Sequence, residues 1–176
     1  VTATWHLASW QTKLADRHII TDIPGPIEDL EHSLSGVILI TSELDGDRTK
    51  PINNALLDWL HQYCRYHSIP LLIEADGSRQ KSLKAWARHE PAVPAFVQQV
   101  VQVVGLSCIG KPLTEEYVHR PEIASRITGL QPGQRITGDA ITKLLTNPEA
   151  GLKNIPAQAS RVVLLNQADR PELQSM

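Results

Sequence analysis

Short apolar runs rich in β-branched residues alternate along this chain with segments of helical periodicity. The strongest runs cover residues 18–21, 37–41, 71–75, 100–104 and 162–165. Strands that alternate with helices usually pair in parallel, because a parallel connection is long enough to contain a helix. The pattern therefore predicts an α/β fold with a mostly parallel sheet and flanking helices.

The size and charge of the chain narrow its class. A length of 176 residues predicts a single domain over 1–176, and a net charge of -2 gives no basic excess for binding nucleic acid. We find no signal peptide and no apolar run long enough to cross a membrane, so we expect a soluble, cytoplasmic protein. Cys64 and Cys108 lack metal-site spacing and are predicted to be reduced, buried residues.

Helices are predicted where apolar residues recur at helical spacing. The clearest covers 51–67, and its stripe places Trp59 and Tyr63 in the core. A shorter helix is predicted over 121–130, and Thr137 is predicted to cap another. A turn is expected at 131–134. Residues 78–95, rich in Lys, Arg, His and Pro, are predicted to form a long loop with at most one helical turn.

The apolar run at 69–73 ends in Glu74, Asp76 and Gly77. We expect a strand covered on both faces, and α/β folds bind ligands at the carboxyl ends of such strands. Glu74 and Asp76 are therefore predicted to hold Mg²⁺ and orient a water, while Gly77 lets the backbone approach a phosphate. The alternative is that Asp-Gly simply makes the bend after a strand.

A second predicted buried strand, at 162–165, ends in Asn166-Gln-Ala-Asp169. This sequence resembles the N-K-x-D motif of GTPases, in which the aspartate accepts hydrogen bonds from guanine and the asparagine holds the loop and touches the base. Gln167 stands in place of the usual lysine, whose stem and charge pack over the base. The alternative is an Asn/Asp turn that begins a helix at Pro171.

Together with this motif, Glu74-x-x-Gly77 matches the Walker B element of one branch of P-loop GTPases, which act in metal-cofactor assembly. The two motifs occur in the expected order, each at the end of a predicted strand, so one would bind Mg²⁺ and the γ-phosphate and the other the base. We therefore expect Mg²⁺ with GTP or ATP as the cofactor.

A phosphate-binding loop should precede both motifs. Gly105 to Lys111 fits G-x-x-x-x-G-K, but Pro112 follows it, without the hydroxyl that binds Mg²⁺ or the N–H that binds phosphate. We therefore expect the true loop upstream of residue 1, and Lys111 is kept only as a phosphate candidate. Thr4 is a weak candidate for reaching Mg²⁺; the alternative is an ordinary strand threonine.

Cations follow the first acidic site. We predict that these basic residues act together with Glu90 and the later pair His119-Arg120 and bind phosphate or an anionic substrate. The candidates are Arg79, Lys84, His89, Glu90, His119 and Arg120. The alternatives are a solvated basic loop and residues that cap helix carbonyls.

A further pattern covers residues 72–94, 103–113, 118–121, 151–156 and 162–169, and its most specific element is E-A-D-G followed by L-K and H-E-P-x-x-P. In these segments the chain resembles a known family, the selenium-dependent hydroxylase accessory proteins or selenium cofactor biosynthesis proteins of the YqeC type. The residues that match the family's pattern are Glu74, Asp76, Gly77, Lys84, His89, Glu90, His119, Arg120, Asn166 and Asp169.

The resemblance implies a bacterial P-loop NTPase-like protein of three-layer architecture. Its partners would be a nucleotide and a selenium-dependent molybdenum hydroxylase or the machinery that makes its cofactor. We expect an accessory protein that assists maturation of the hydroxylase. Mg²⁺-dependent NTPase activity is one way in which it could do so. The alternative is a scaffold or chaperone that docks to the hydroxylase or carries its cofactor without turnover.

Overall fold

The computed structural model describes residues 1–27, 30 and 34–174. The chain divides into two compact units, Val1–Gly77 and Ser78–Met176. The assignment of one nucleotide-binding domain to residues 1–176 stays a prediction.

The first unit is built on strands, most of which pair in parallel. They are β1 (Thr2–Ala3), β2 (Arg17–Ile20), β3 (Ile38–Thr41), β4 (Leu44–Asp45), β5 (Arg48–Thr49) and β6 (Ile73–Glu74), with a 3-10 helix at Ser9–Leu14. β1 pairs in parallel with β6, and β2 with β3. The Ile40 N–H donates to the Val1 carbonyl at 2.9 Å, which joins the pairs in the order β2, β3, β1, β6. β4 and β5 form an antiparallel hairpin. The predicted parallel pairing is therefore confirmed in this unit.

Helix α1 (Asn54–Tyr66) lies between β5 and β6. It begins later than predicted because the Asn53 side chain accepts the Leu56 N–H at 2.8 Å and caps the helix there. Its buried residues are Leu56, Leu57, Leu60 and Cys64. The placement of Trp59 and Tyr63 in the core was wrong: both are half-buried, and their rings stack on each other with centroids 4.9 Å apart.

The prediction that the strand before Glu74 is covered on both faces was also wrong. β6 pairs over Ile73 and Glu74, and the side chain of Leu72 is 63% exposed. In the strand order of this unit, β6 lies at one end, beside β1. The apolar run at 69–73 is longer than the part of it that pairs with β1.

The described part of the second unit, residues 78–174, combines strands with three helices. The strands are β7 (Leu83–Lys84), β8 (Gln99–Gly105), β9 (Val118–His119) and β10 (Ser160–Asn166); the helices are α2 (Pro121–Thr128), α3 (Gly138–Thr146) and α4 (Pro171–Gln174), with a 3-10 helix at Leu106–Cys108. β8 and β10 are parallel from Gln99 opposite Ser160 to Gly105 opposite Asn166. β7 and β9 are also parallel.

The helix signals of this unit are confirmed. α2 ends at Thr128 and is capped by Gly129, which has the left-handed φ of 83° that glycine adopts easily. Thr137 caps α3 by accepting the Ala140 N–H at 3.2 Å. The predicted loop at 78–95, all of it described, contains no helical turn; it contains β7 instead.

The core of the second unit lies beside α2 and α3, and it includes Leu83 of β7, Val104 of β8 and Val118 of β9. It contains none of the described residues of β10, which is exposed along its whole length. The prediction of a buried strand at 162–165 was therefore right about the strand and wrong about its burial. No helix in the described part of the chain combines the length and apolar character needed to cross a bilayer.

Candidate functional site

The first candidate site lies where β1 and β6 end side by side. The Thr4 N–H donates to the Glu74 carbonyl at 2.9 Å, so the residue after β1 is held against the last residue of β6. The Thr4 hydroxyl is also directed at that carbonyl, at 3.5 Å. Asp76 follows two residues later. Parallel strands end at the same edge of a sheet, and this edge brings three of the predicted ligands into one region.

The surroundings of Glu74 at this edge disfavour its ionisation. Burial raises the pKa of Glu74, and the negative charge of Asp76 raises it further. A cation bound between them would reverse both effects. Among the described residues no group of three His, Cys, Asp or Glu side chains is arranged to hold a metal ion. These residues still fit Mg²⁺, which commonly takes one or two carboxylates and completes its shell with waters and phosphate oxygens.

Gly77 follows these acids, and nothing in its surroundings requires a glycine. A Cβ atom built on it meets no heavy atom within 4 Å, and its φ lies outside the left-handed region. Its predicted role, which is to let the backbone approach a phosphate, is compatible with this open space.

The second candidate site is the end of β10 in the second unit. Gln167 has a left-handed φ of 58°, and its N–H donates to Asn166 Oδ1 at 2.8 Å. Its side-chain oxygen accepts from Ser107 Oγ at 2.5 Å, and Ser107 Oγ lies 2.7 Å from Ser82 Oγ. Gln167 is therefore turned against the end of β8. Asp169 is exposed.

Gly105 allows this arrangement. A Cβ atom at this position would lie 2.2 Å from Gln167 Oε1 and 2.9 Å from Ser82 Cβ. Sequence reasoning missed Ser82 and Ser107, and no local signal indicates them. Their contacts join residues 25 and 60 positions apart, between segments that only the fold brings together.

The third candidate site is a buried ionic group of Lys84, Glu90 and Arg120, which we call the Glu90 cluster. Glu90 is 3% exposed. Arg120 binds it with two hydrogen bonds, Nη1 to Oε2 at 2.5 Å and Nη2 to Oε1 at 2.9 Å. Lys84 Nζ lies 3.1 Å from Oε2, and the Ala87 N–H donates to the same oxygen at 3.1 Å. Burial acts to raise the pKa of Glu90, but Arg120, the Ala87 N–H and Lys84 outweigh it and lower the pKa to about 2.

The Glu90 cluster joins segments that are far apart in sequence. Lys153 Nζ donates to the Ala87 carbonyl at 2.6 Å, and Asn154 Nδ2 donates to the Glu90 carbonyl at 3.3 Å. The segments 89–91, 118–121 and 151–154 thus meet at the Glu90 cluster. The alternative of a solvated basic loop does not hold for Lys84, which is 7% exposed. It describes His89 better: that side chain is 58% exposed and its Nε2 lies 3.9 Å from Glu90 Oε1.

His119 lies beside this cluster. It is the register partner of Lys84 in the β7–β9 pair. Burial lowers the pKa of His119, and the charges of Arg120, Lys84 and Arg79 lower it further, to about 4. The imidazole is therefore neutral at physiological pH, although Glu90 acts in the opposite direction.

Lys111 does not join the other phosphate candidates. Its Nζ lies 5.5 Å from the centroid of the Tyr117 ring, in the range of a cation–π contact. The G-x-x-x-x-G-K segment runs through the 3-10 helix at Leu106–Cys108, and turns and β9 follow it before α2 begins. A phosphate loop delivers its lysine at the start of a helix, so this segment lacks that geometry.

The protein is thus of the mixed α/β class, with an acidic strand end in one unit and the Glu90 cluster in the other. The family model described as YqeC protein matches residues 1–122, and the chain belongs to this family. A relative from Escherichia coli (strain K12), "Uncharacterized protein YqeC", is 36% identical over 102 residues. That match covers 58% of this chain and 40% of the relative. No solved structure matches the chain significantly.

Proposed function

We propose that this protein is a nucleotide-binding accessory protein with a P-loop NTPase-like three-layer fold, and that GTP or ATP binds it with Mg²⁺. The observation that supports this most is the paired carboxyls of Glu74 and Asp76 at a strand end beside Thr4, with the pKa of Glu74 raised by burial and by its neighbour. An acidic pair at the end of a parallel strand suits a hydrated divalent cation.

The chain's own residues would then have separate roles. Glu74 and Asp76 hold Mg²⁺ and orient a water, which requires both to be deprotonated. Mg²⁺ supplies charge neutralisation at the phosphates. Asn166 Oδ1 already accepts the Gln167 N–H, so its Nδ2 is the group left to meet a base edge, while the exposed carboxylate of Asp169 accepts hydrogen bonds from base donors.

We further propose that the nucleotide serves maturation of selenium-dependent molybdenum hydroxylases in the cytoplasm, through hydrolysis or phosphoryl transfer. This part rests on the resemblance of residues 72–94 and the later segments to accessory proteins of that system.

Equilibrium binding of fluorescent GTP and ATP to the complete protein, with and without Mg²⁺, tests the nucleotide proposal. We expect saturable, Mg²⁺-dependent binding that Glu74→Gln weakens. Asp58→Asn is a matched control, since it also removes one negative charge from an exposed position in the same unit. Absence of Mg²⁺-dependent binding of either nucleotide would refute the proposal.

A scaffold that docks to the hydroxylase is the second candidate. It is favoured by the exposed apolar side chains of β8 and β10, with Val103 at 59% and Leu164 at 51% exposure. In a pull-down of the hydroxylase, a scaffold would keep its partner after Glu74→Gln and Asp169→Ala and lose it after Leu164→Lys. An NTPase-driven interaction would show the reverse dependence on Glu74.

A further inference from the structure

The side of the β7–β9 pair that carries Lys84 and His119 holds an excess of positive charge. These residues are opposite each other in the parallel register, so their side chains lie on the same face. Three cations act on His119, namely Arg120, Lys84 and Arg79, against the single carboxylate of Glu90.

Glu90 carries a single negative charge, and two cations, Arg120 and Lys84, already contact it. Arg120 and Lys84 together with the Ala87 N–H engage both of its oxygens, at distances from 2.5 to 3.1 Å. Charges in such partly buried surroundings interact more strongly than charges in water. A second anion would therefore be bound favourably beside His119.

The region is also reachable from solvent. Lys84 is buried, His119 and Arg120 are half-buried, and Arg79 is exposed. Arg79 and Gln80 both have left-handed backbones, with φ of 53° and 61°. Such conformations are strained for residues other than glycine and are concentrated at functional sites. The exposed Arg79 is thus carried on a constrained turn, and its charge acts on His119.

We propose that Arg79, Lys84 and His119, with Arg120 behind them, form an anion site that binds a phosphate group. The chemistry favours phosphate over carboxylate because the planar fork of Arg120 is already paired with Glu90. Arg79, Lys84 and His119 are instead separate groups on different segments, and they suit the non-coplanar oxygens of a tetrahedral dianion. The site lies within the second unit and does not depend on the proposed Mg²⁺ site.

Phosphate binding should change the protonation of His119. The pKa of this imidazole is low, about 4, because partial burial and the charges of Arg120, Lys84 and Arg79 lower it, with Glu90 acting against them. A bound dianion offsets the repulsion from these cations. His119 then takes up a proton more easily and donates to a phosphate oxygen, so the anion raises its pKa.

The experiment is an NMR titration of the histidine C2–H signals of the complete protein with inorganic phosphate. We expect a saturable shift of the His119 signal and titration of His119 at higher pH when phosphate is bound. Arg79→Gln should weaken phosphate binding about tenfold, the effect of losing one charge-assisted hydrogen bond. Because Arg79 is exposed, the variant should fold normally. Lys143→Gln on α3 removes the same charge from another exposed position and should leave binding unchanged.

A His119 signal that does not respond to phosphate would overturn the proposal, as would equal weakening by Arg79→Gln and Lys143→Gln. GTP or ATP added as a competitor separates the sources of the phosphate group. Displacement assigns the site to a nucleotide phosphate, and retention of phosphate assigns it to a separate phosphate-bearing compound. Glu74→Gln should not affect the His119 response, so failure of the Mg²⁺ proposal and failure of this one are distinguishable.

Discussion

A buried carboxylate is tolerated when charged partners engage its oxygens, and Glu90 meets this condition through Arg120 and Lys84. Replacing it by Gln removes the charge and leaves two cations in place. We expect Glu90→Gln to lower the free energy of unfolding by about 3 kcal/mol, the usual cost of breaking a buried pair from one side. Urea denaturation measures this, and the exposed Glu149→Gln serves as the control. Equal stability of the two variants would show that the pairing contributes nothing.

The same residue predicts an acid response. Its pKa falls from the ordinary 4.5 to about 2 in the folded protein, so the folded state favours the ionised form. The stabilisation is complete above pH 4.5 and is lost as the pH falls through 2. It corresponds to roughly 3 kcal/mol. Comparing wild type with Glu90→Gln between pH 6 and 2 isolates this contribution: the stability difference should shrink as the pH falls. A constant difference would contradict the prediction.

The substitution Gly77→Ala distinguishes a structural requirement for glycine from a functional one. Because a Cβ there meets nothing within 4 Å and the φ is not left-handed, Gly77→Ala should leave the thermal midpoint unchanged. If the backbone approaches a phosphate at this point, the same substitution should weaken nucleotide binding about tenfold or more, by steric exclusion and loss of a hydrogen bond. Calorimetry and fluorescent nucleotide titration give the two values. Unchanged binding would leave Gly77 as a simple turn residue.

At the level of elements, the sequence predicted where strands occur better than what covers them. The β-branched runs at 100–104 and 162–165 lie in β8 and β10, and their predicted parallel direction is confirmed. Their predicted burial is wrong for β10 because an apolar run indicates only a preference for burial. It does not identify the element that covers it. α1 shows the same limit: helical spacing placed Trp59 on the core stripe, whereas Leu57 and Cys64 occupy it.

The ends of β8 and β10 depend on Gly105. An alanine there would place Cβ 2.2 Å from Gln167 Oε1 and 2.9 Å from Ser82 Cβ. We expect Gly105→Ala to destabilise the protein by about 1–3 kcal/mol through overpacking, and to release Gln167 from Ser107. The double variant with Gln167→Ala should recover part of the loss, since one of the two contacts is removed. Thermal unfolding of the four proteins in this cycle measures the coupling. Simple additivity would mean that Gln167 moves away at no cost.

At the scale of the whole molecule, the candidate sites consist of contacts that the sequence does not display. Glu90 and Arg120 are 30 positions apart, and Lys153 and Ala87 are 66 apart. The resemblance to a family singled out Glu90 and Arg120 but not Lys153 or Ala87, and residue chemistry suggested anion binding. Which cation pairs with Glu90 and which faces solvent follows from the β7–β9 register and the burial of Lys84, which no local pattern encodes.

The two proposed ligand sites should respond to pH in opposite directions. Mg²⁺ needs Glu74 ionised, and burial with the charge of Asp76 raises the pKa of Glu74. Stabilisation by Mg²⁺ should therefore decline as the pH falls through this raised pKa. An anion beside His119 is bound more tightly when the imidazole is protonated, so anion stabilisation should increase toward the pKa near 4. Sulfate is the suitable probe because it stays a dianion over this range.

Thermal unfolding of the complete protein at pH 8, 7, 6 and 5, with Mg²⁺ or with sulfate, tests whether the two stabilising effects change with pH in opposite directions. At one hundred times the dissociation constant, a ligand that binds only the folded state stabilises it by about 2.7 kcal/mol, which is well within detection. Glu74→Gln should remove the Mg²⁺ response and keep the sulfate response, and His119→Gln should flatten the pH dependence of sulfate alone. If both ligands lost effect together as the pH fell, one general change in the folded state would explain the data better than two independent sites.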